Sequence, residues 1–279
     1  ADFVLSLGCR LAVQFVGMKF QHFSEDCKIV MVDIDENELK KPGIKLSAAI
    51  NMDLREFIPA MLYKLNSLPD WSIWTEHCQS LKNVFSFPLY QRNPIDLYYF
   101  MSRLNVLSGE NHILTTDAGS NYYIGGQVFT FDRGQREITS GAFAAMGTSI
   151  PLAIGAAVAD PSKQILAITG DGSLELNIQE LKTISHYGFN IKLFVINNGG
   201  YVSMKKWQDM YFNGRRIDDA KTTGVGTLNL RKVAEAFDMN YAIIDDFAII
   251  DQKIISILSD DKPIFVEVMT DNHQKIFDA

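Results

Sequence analysis

The chain has 279 residues, 47% apolar and 21% charged, and 33 acidic against 26 basic side chains leave a formal net charge of -7. That length points to two domains rather than one core, and the acidic balance argues against a nucleic-acid backbone as the main partner. No apolar run reaches the about 18 residues of a membrane span, and the start ADFVLSLGCRL has no basic leader, so the expectation is a soluble cytoplasmic protein.

In chain order, FVLSLG near the start and CKIVMVDID at 27–35 read as buried parallel strands, continuous apolar runs that stop at Gly or Asp. ENELKK follows as a short polar helix, and DLREFIPAMLYKL at 53–65 as an amphipathic one with Asp53 at its start. Two or three strands close a sheet poorly, so residues 1–66 are expected to be the C-terminal part of a Rossmann-like central domain. Residues 67–92, a helix carrying Trp71 and Trp74 and then a proline-containing connector, read as a linker. From 93 to 279 strands HILTTDAG, ILAIT, LFVINN, YAIID and PIFVEVM alternate with helices. The helical stretches are AAMGTSIPLAIGAAVA, NIQELKTISHYG, LRKVAEAF and IDQKIISILS. Such alternation predicts an α/β fold, a parallel sheet flanked by helices. The three cysteines, Cys9, Cys27 and Cys78, are scattered and form no CxxC, as in a reducing compartment, and a cysteine metal site is not expected.

Two stretches carry the chemistry, ILAITGDGSLELN and LFVINNGGY, apolar runs that stop at an Asp and an Asn beside glycine. A helix of about 11 residues rises about 16 Å and matches a strand of about five. The path from Thr169 to Ile196 therefore closes as a βαβ crossover. With the two strands as neighbours, Asp171 and Asn198 converge on the edge where open α/β sheets bind ligands. A carboxylate, an amide oxygen and a main-chain carbonyl of the NNGGY turn are hard donors that suit Mg²⁺. Gly170, Gly172 and Ser173 leave bare N–H groups at the approach to a helix, an anion cradle. Together they predict a Mg²⁺-bridged diphosphate.

Gly170-Asp171-Gly172 followed by Asn197-Asn198 resembles the signature of thiamine diphosphate-dependent enzymes. The longer text GDGSLELNIQELKTI…IKLFVINNGGY looks most like the catalytic subunit of acetolactate synthase and its relatives. ADFVLSLGCRL and VMVDIDENEL resemble the end of that family's central domain, SGAFAAMGTSIPLAIGAA its cofactor helix, and KKWQDMYFNGR the segment after the metal loop. The resemblance implies a thiamine diphosphate-binding fold for residues 93–279. It assigns Asp171, the Asn198 side chain and the main-chain oxygen of Gly200 to Mg²⁺. Ala118, Gly119, Ser120 and Asn121 fall where the family wraps a loop around the diphosphate, with Ser120-Asn121 in place of a frequent Gln-His. Ala144, Gly170, Gly172, Ser173, Tyr201 and Val202 join them as cofactor-binding candidates. Met146 falls where a bulky apolar residue bends the cofactor into a V, so that its aminopyrimidine nitrogen reaches the thiazolium carbon. Trp207 matches the tryptophan that shapes the acceptor pocket in acetolactate synthases. These two are the catalytic candidates.

The resemblance implies a carboligase, which decarboxylates a 2-keto acid such as pyruvate and transfers the acyl group to a second carbonyl compound. The rivals are a decarboxylase, an acyl transferase with another acceptor such as a sugar, and a non-catalytic cofactor-binding or assembly module. The departures at Ser120, Asn121 and Val202-Ser203 keep the first two in play. FAD is a further candidate. Its GxR is present as Gly8-Cys9-Arg10, Ala12, Val13 and Gln14 replace the acidic-basic cluster that follows, and Asp35 and Asp53 are left to meet the adenosine end. In the family the glutamate that serves the pyrimidine lies in an N-terminal domain and acts across a subunit interface. Nothing precedes Ala1 here, so the expectation is the C-terminal part of a longer, homo-oligomeric enzyme, inactive alone. MKKWQDMYFNGRRIDD, with its glycine and charges, is expected to be a mobile lid.

Overall fold

A computed structural model describes the chain apart from residues 13–15, 18, 24, 85–86, 132–133, 218–225 and 278–279. Residues 1–84 and 85–279 form two units. In the first, β1 (Phe3–Leu7), β2 (Lys28–Asp33) and β3 (Ala48–Asn51) make a parallel sheet in the order β1-β2-β3. Ile29 and Met31 of β2 join Leu11 in a small core against Val4, Phe23 and Leu46. Helices α1 (Glu36–Leu39) and α2 (Leu54–Lys64) each start from an aspartate, Asp35 and Asp53, whose carboxylate accepts an N–H of the first turn. Helix α3 (Ser72–Val84) ends this unit.

The second unit carries six strands: β4 (His112–Thr115), β5 (Arg136–Ile138), β6 (Gln164–Gly170), β7 (Ile191–Asn197), β8 (Asn240–Ile244) and β9 (Ile264–Met269). Their order is β5-β4-β6-β7-β9-β8 and every pairing is parallel. The helices are α4 (Leu97–Leu107), α5 (Ser120–Val128), α6 (Ser149–Ala159), α7 (Asp171–Leu174), α8 (Leu181–Tyr187), α9 (Val202–Phe212), α10 (Leu230–Ala236) and α11 (Ile250–Leu258).

Period-two alternation sorts the strand residues into two cores. Leu166 and Ile168 of β6 and Phe194 and Ile196 of β7 pack with α4, α5 and α11. Ile165 and Ala167, with Leu193 and Val195, pack on the other face with α6, α8 and α10. The central strands are thus covered on both faces, which is why their sequences read as unbroken apolar runs. Each buried Leu, Ile or Phe contributes about 1.5–3 kcal/mol over leaving it exposed.

Two expected helices differ from the observed ones. AAMGTSIPLAIGAAVA becomes helical only at Ser149, because Ala144 (φ 43°) and Gly147 (φ 77°) lie in the left-handed region and cannot continue a helix. In NIQELKTISHYG, Asn177 breaks regular helix geometry (φ -138°), its side chain donating to the Gly147 carbonyl at 3.0 Å, and the α-helix proper begins at Leu181.

His112 at the start of β4 is fully buried. Its Nδ1 contacts the Gly109 carbonyl at 3.0 Å, and its Nε2 has no partner. Burial pushes its pKa below the ordinary value. The folded chain therefore holds a neutral imidazole while the unfolded chain takes up a proton below about pH 6.5. Stability is full above that pH and falls beneath it, by at most about 1.4 kcal/mol per pH unit. Buried Asp117 and Asp171, whose pKa values burial raises, act in the opposite direction. Urea unfolding of wild type and His112→Gln at pH 7.5 and 5.5 (roughly one unit either side of that value) isolates the effect. The wild type is expected to lose more stability on acidification than the variant.

Candidate functional site

The site is built on the C-terminal tips of β4, β6 and β7. Gly170 at the end of β6 pairs in register with Ile196 of β7, so the residues that follow, Asp171 and Asn198, emerge side by side. Asp171 opens α7. Its Oδ2 accepts the N–H of Gly200 at 2.8 Å and its Oδ1 the N–H of Gly172 at 2.9 Å. Burial pushes this carboxyl above the ordinary carboxylate range, opposed by N–H bonds from Gly200, Gly172 and Gly199. The turn that supplies these donors has Gly199 at φ 74° and Gly200 at φ 102°, both left-handed, so a side chain at either would be strained.

The turn is also held from behind. The Asn197 side chain donates to Glu267 Oε1 at 2.6 Å and accepts the Gly199 N–H at 3.2 Å, while Glu267 Oε2 accepts the Tyr241 hydroxyl. Lys205 donates to the Gly199 carbonyl at 3.0 Å.

Between the tips lies a cavity of about 220 Å³. Ala118, Gly119, Ser120 and Asn121 line one wall, Gly170, Asp171, Gly172 and Ser173 another, and Asn198, Gly200, Tyr201 and Val202 a third, with Met146 among them. Gly119 is the N-cap of α5 and makes no side-chain cap bond, so the first N–H groups of that helix are available to an anion. A Cβ on Gly172 would lie 2.4 Å from the Tyr201 ring, so only glycine lets that ring cover the backbone here.

Two of the expected residues lie elsewhere. Ala144 ends a 3-10 turn (Gly141–Phe143) and does not line this cavity. Trp207 projects from α9, 52% exposed, with its ring stacked on Tyr211 at 5.0 Å, and it too is outside the lining. The expected lid is a regular helix through Phe212, and Arg216 folds back to pair with Asp209; its Asp218-Asp219 end lies outside the described residues. Ile196 at the end of β7 also lines the cavity, as do Ser203 and Met204, which sequence reading missed because α9 was not read as starting at Val202. Asp117, which accepts bonds from Ala118, Asn121, Gly147 and Thr169, was also missed, although TTDAG, like ITGDG, sets an Asp just past a strand with a glycine close by.

In the first unit, Arg10 is paired with Glu38 at 2.8 Å, and Asp35 and Asp53 cap helices, so the candidate FAD contacts have protein partners. Val13 and Gln14 lie outside the described residues.

Among the described residues no cluster of three or more His, Cys, Asp or Glu side chains could hold a metal ion. A metal at this cavity would instead use the Asp171 carboxylate with the amide and main-chain oxygens of Asn198 and Gly200, a hard-oxygen set. A buried carboxylate close to the uncapped N-terminus of α5, with the Lys205 charge acting on it, fits a phosphate bridged by a divalent cation.

Residues 117–268 match the family model described as thiamine pyrophosphate enzyme, C-terminal TPP binding domain. The chain belongs to this family. The parallel sheet with its flanking helices is the family's cofactor-binding fold, and thiamine diphosphate is the cofactor that this domain binds. The chain is 27% identical over 281 residues to acetolactate synthase isozyme 1 large subunit of Escherichia coli (strain K12), covering 99% of the chain and 48% of that protein. It is 30% identical over 222 residues to acetolactate synthase 1, chloroplastic, of Nicotiana tabacum (77% and 33%). It is 32% identical over 227 residues to probable acetolactate synthase 2, chloroplastic, of Oryza sativa subsp. japonica (77% and 34%). The chain thus spans half or less of the length of these relatives. Among the described residues no helix is long and apolar enough to cross a membrane.

Gly147 supports the Met146 wall. A Cβ there would lie 2.8 Å from Leu176 Cβ and 3.0 Å from the Ser173 carbonyl, at φ 77°. Gly147→Ala is expected to destabilise the fold by about 1–3 kcal/mol, read from the denaturation midpoint.

Proposed function

We propose that the chain is the C-terminal part of a thiamine diphosphate- and Mg²⁺-dependent carboligase, which takes a pyruvate-like 2-keto acid and a second carbonyl compound. One observation supports the reading above all. Asp171 and the Asn198-Gly200 turn meet across neighbouring strand tips at a cavity that Met146 also lines, in a chain whose relatives are named acetolactate synthases. Asp171, the Asn198 side chain and the Gly200 carbonyl are the Mg²⁺ ligands in this reading. The N-terminus of α5 and the backbone at Ser173 receive the diphosphate oxygens, the Gly172 N–H being held by the Asp171 carboxylate. Met146, 40% exposed on the cavity wall, presents an apolar surface to the cofactor rings.

When bound, thiamine diphosphate would supply the nucleophilic carbon and the electron sink that decarboxylation of a 2-keto acid requires. Ile196, Val202, Met204 and Met146 give the cavity an apolar side, which favours transfer to a carbonyl acceptor over protonation once substrate covers it. The pyrimidine end of the cofactor is read as held by another domain of a homo-oligomer, in keeping with relatives more than twice as long.

The full-length protein supplied with pyruvate, alone and with 2-ketobutyrate, is expected to release a branched hydroxy-keto acid. Acetaldehyde as the sole product would refute carboligation. Asp171→Ala is expected to abolish Mg²⁺-dependent retention of the cofactor, and with it activity; unchanged affinity in equilibrium dialysis would remove the metal assignment. Met146→Ala is expected to retain the cofactor while kcat falls about 10²-fold; weaker binding with full kcat at saturation would contradict its role.

A further inference from the structure

Asp117 has no part in the reading above, yet the cavity walls meet on its carboxylate. It follows β4 and is fully buried. Its Oδ1 accepts the N–H of Ala118 at 2.7 Å and the side-chain N–H of Asn121 at 3.0 Å. Its Oδ2 accepts the Thr169 hydroxyl at 2.5 Å and the N–H of Gly147 at 3.2 Å. The four donors come from three segments around the cavity, of which Ala118 and Asn121 line it directly. Ala118 and Asn121 belong to the wall at α5, Gly147 follows Met146, and Thr169 lies two residues before Asp171. Asn177 closes the same frame by donating to the Gly147 carbonyl at 3.0 Å.

An ionised carboxylate is a pure acceptor and can take all four of these bonds, and bonds to a charged acceptor are about twice as strong as neutral ones. An amide of the same shape cannot replace it. Its NH₂ would face two donors, either Ala118 and Asn121 or Gly147 and Thr169. A hydroxyl can turn round and accept, but a main-chain N–H cannot, so one wall would lose its anchor.

We propose that Asp117 is a positioning residue that holds the loop before α5, the Met146-Gly147 turn and the tip of β6 in mutual register. It thereby sets the affinity for thiamine diphosphate without touching it. The inference rests on the cofactor reading of this cavity.

The test is calorimetric titration of thiamine diphosphate, in excess Mg²⁺, into full-length wild type, Asp117→Asn and Thr169→Val, with a thermal melt of each. Thr169→Val keeps the side-chain shape and deletes one of the four donors. The Kd is expected to rise about tenfold or more in Asp117→Asn, from one unsatisfied buried donor, and about threefold in Thr169→Val. A purely structural carboxylate would lower the melting temperature and leave the Kd of the folded protein unchanged, and that result in both variants overturns the proposal. If Asp117→Asn does not fold, Thr169→Val decides alone, and an unaltered Kd there is equally fatal. A wild type that binds no thiamine diphosphate sinks the cofactor reading as well, which separates the two failures.

Discussion

Asp171 Oδ2 accepts the N–H of Gly200 across the tips of two adjacent parallel strands, and the cavity is organised around that bond. It ties the end of β6 to the turn after β7 and fixes which way the Asn198-Gly200 segment faces. The ladder beneath it runs from Ile165 paired with Ile191 to Gly170 paired with Ile196. A slip of one residue would exchange the two cores, sending Leu193 and Val195 to the face that now takes Phe194 and Ile196. Burial on both sides therefore specifies the register, and the register brings the carboxylate to the turn.

The cavity brings buried carboxylates and left-handed backbone together in one place. Two buried carboxylates, Asp117 and Asp171, stand at strand tips, both held above the usual range by burial and both surrounded by N–H or hydroxyl donors. Ala144, Gly147, Gly199 and Gly200 adopt left-handed backbone close by. Such features cost stability where they stand and persist because the packed sheet over-determines them. The N–H groups at the uncapped start of α5 and the carbonyl oxygens of the Asn198-Gly200 turn give the wall the backbone polarity that a phosphate and a cation require.

A second support lies behind the turn. Glu267 in the middle of β9 accepts from Asn197 and Tyr241, and Arg231 lies over the Tyr241 ring at 4.4 Å. A side chain from the neighbouring strand thus orients the first residue of the turn, so the β7–β9 pairing contributes to the cavity as directly as the β6–β7 pairing does.

The sequence alone was enough to locate most of the parallel strands and the ends of β6 and β7 at an Asp and an Asn beside glycine; that β6 and β7 are neighbours was a premise of that reading, which the sheet order bears out. These follow from local physics: unbroken apolar runs, glycine punctuation, and a crossover whose helix and strand lengths match. Strands β3 and β5 escaped because AAIN and REI are short and lack an apolar run. Only the tertiary structure decided the breaks at Gly147 and Asn177, the outward stacking of Trp207 on Tyr211, and the four bonds of Asp117. The bonds of Asp117 join groups 30 and 52 positions apart in sequence, the Gly147 N–H and the Thr169 hydroxyl. Periodicity does not encode such meetings, because they arise only once the sheet has been assembled and packed.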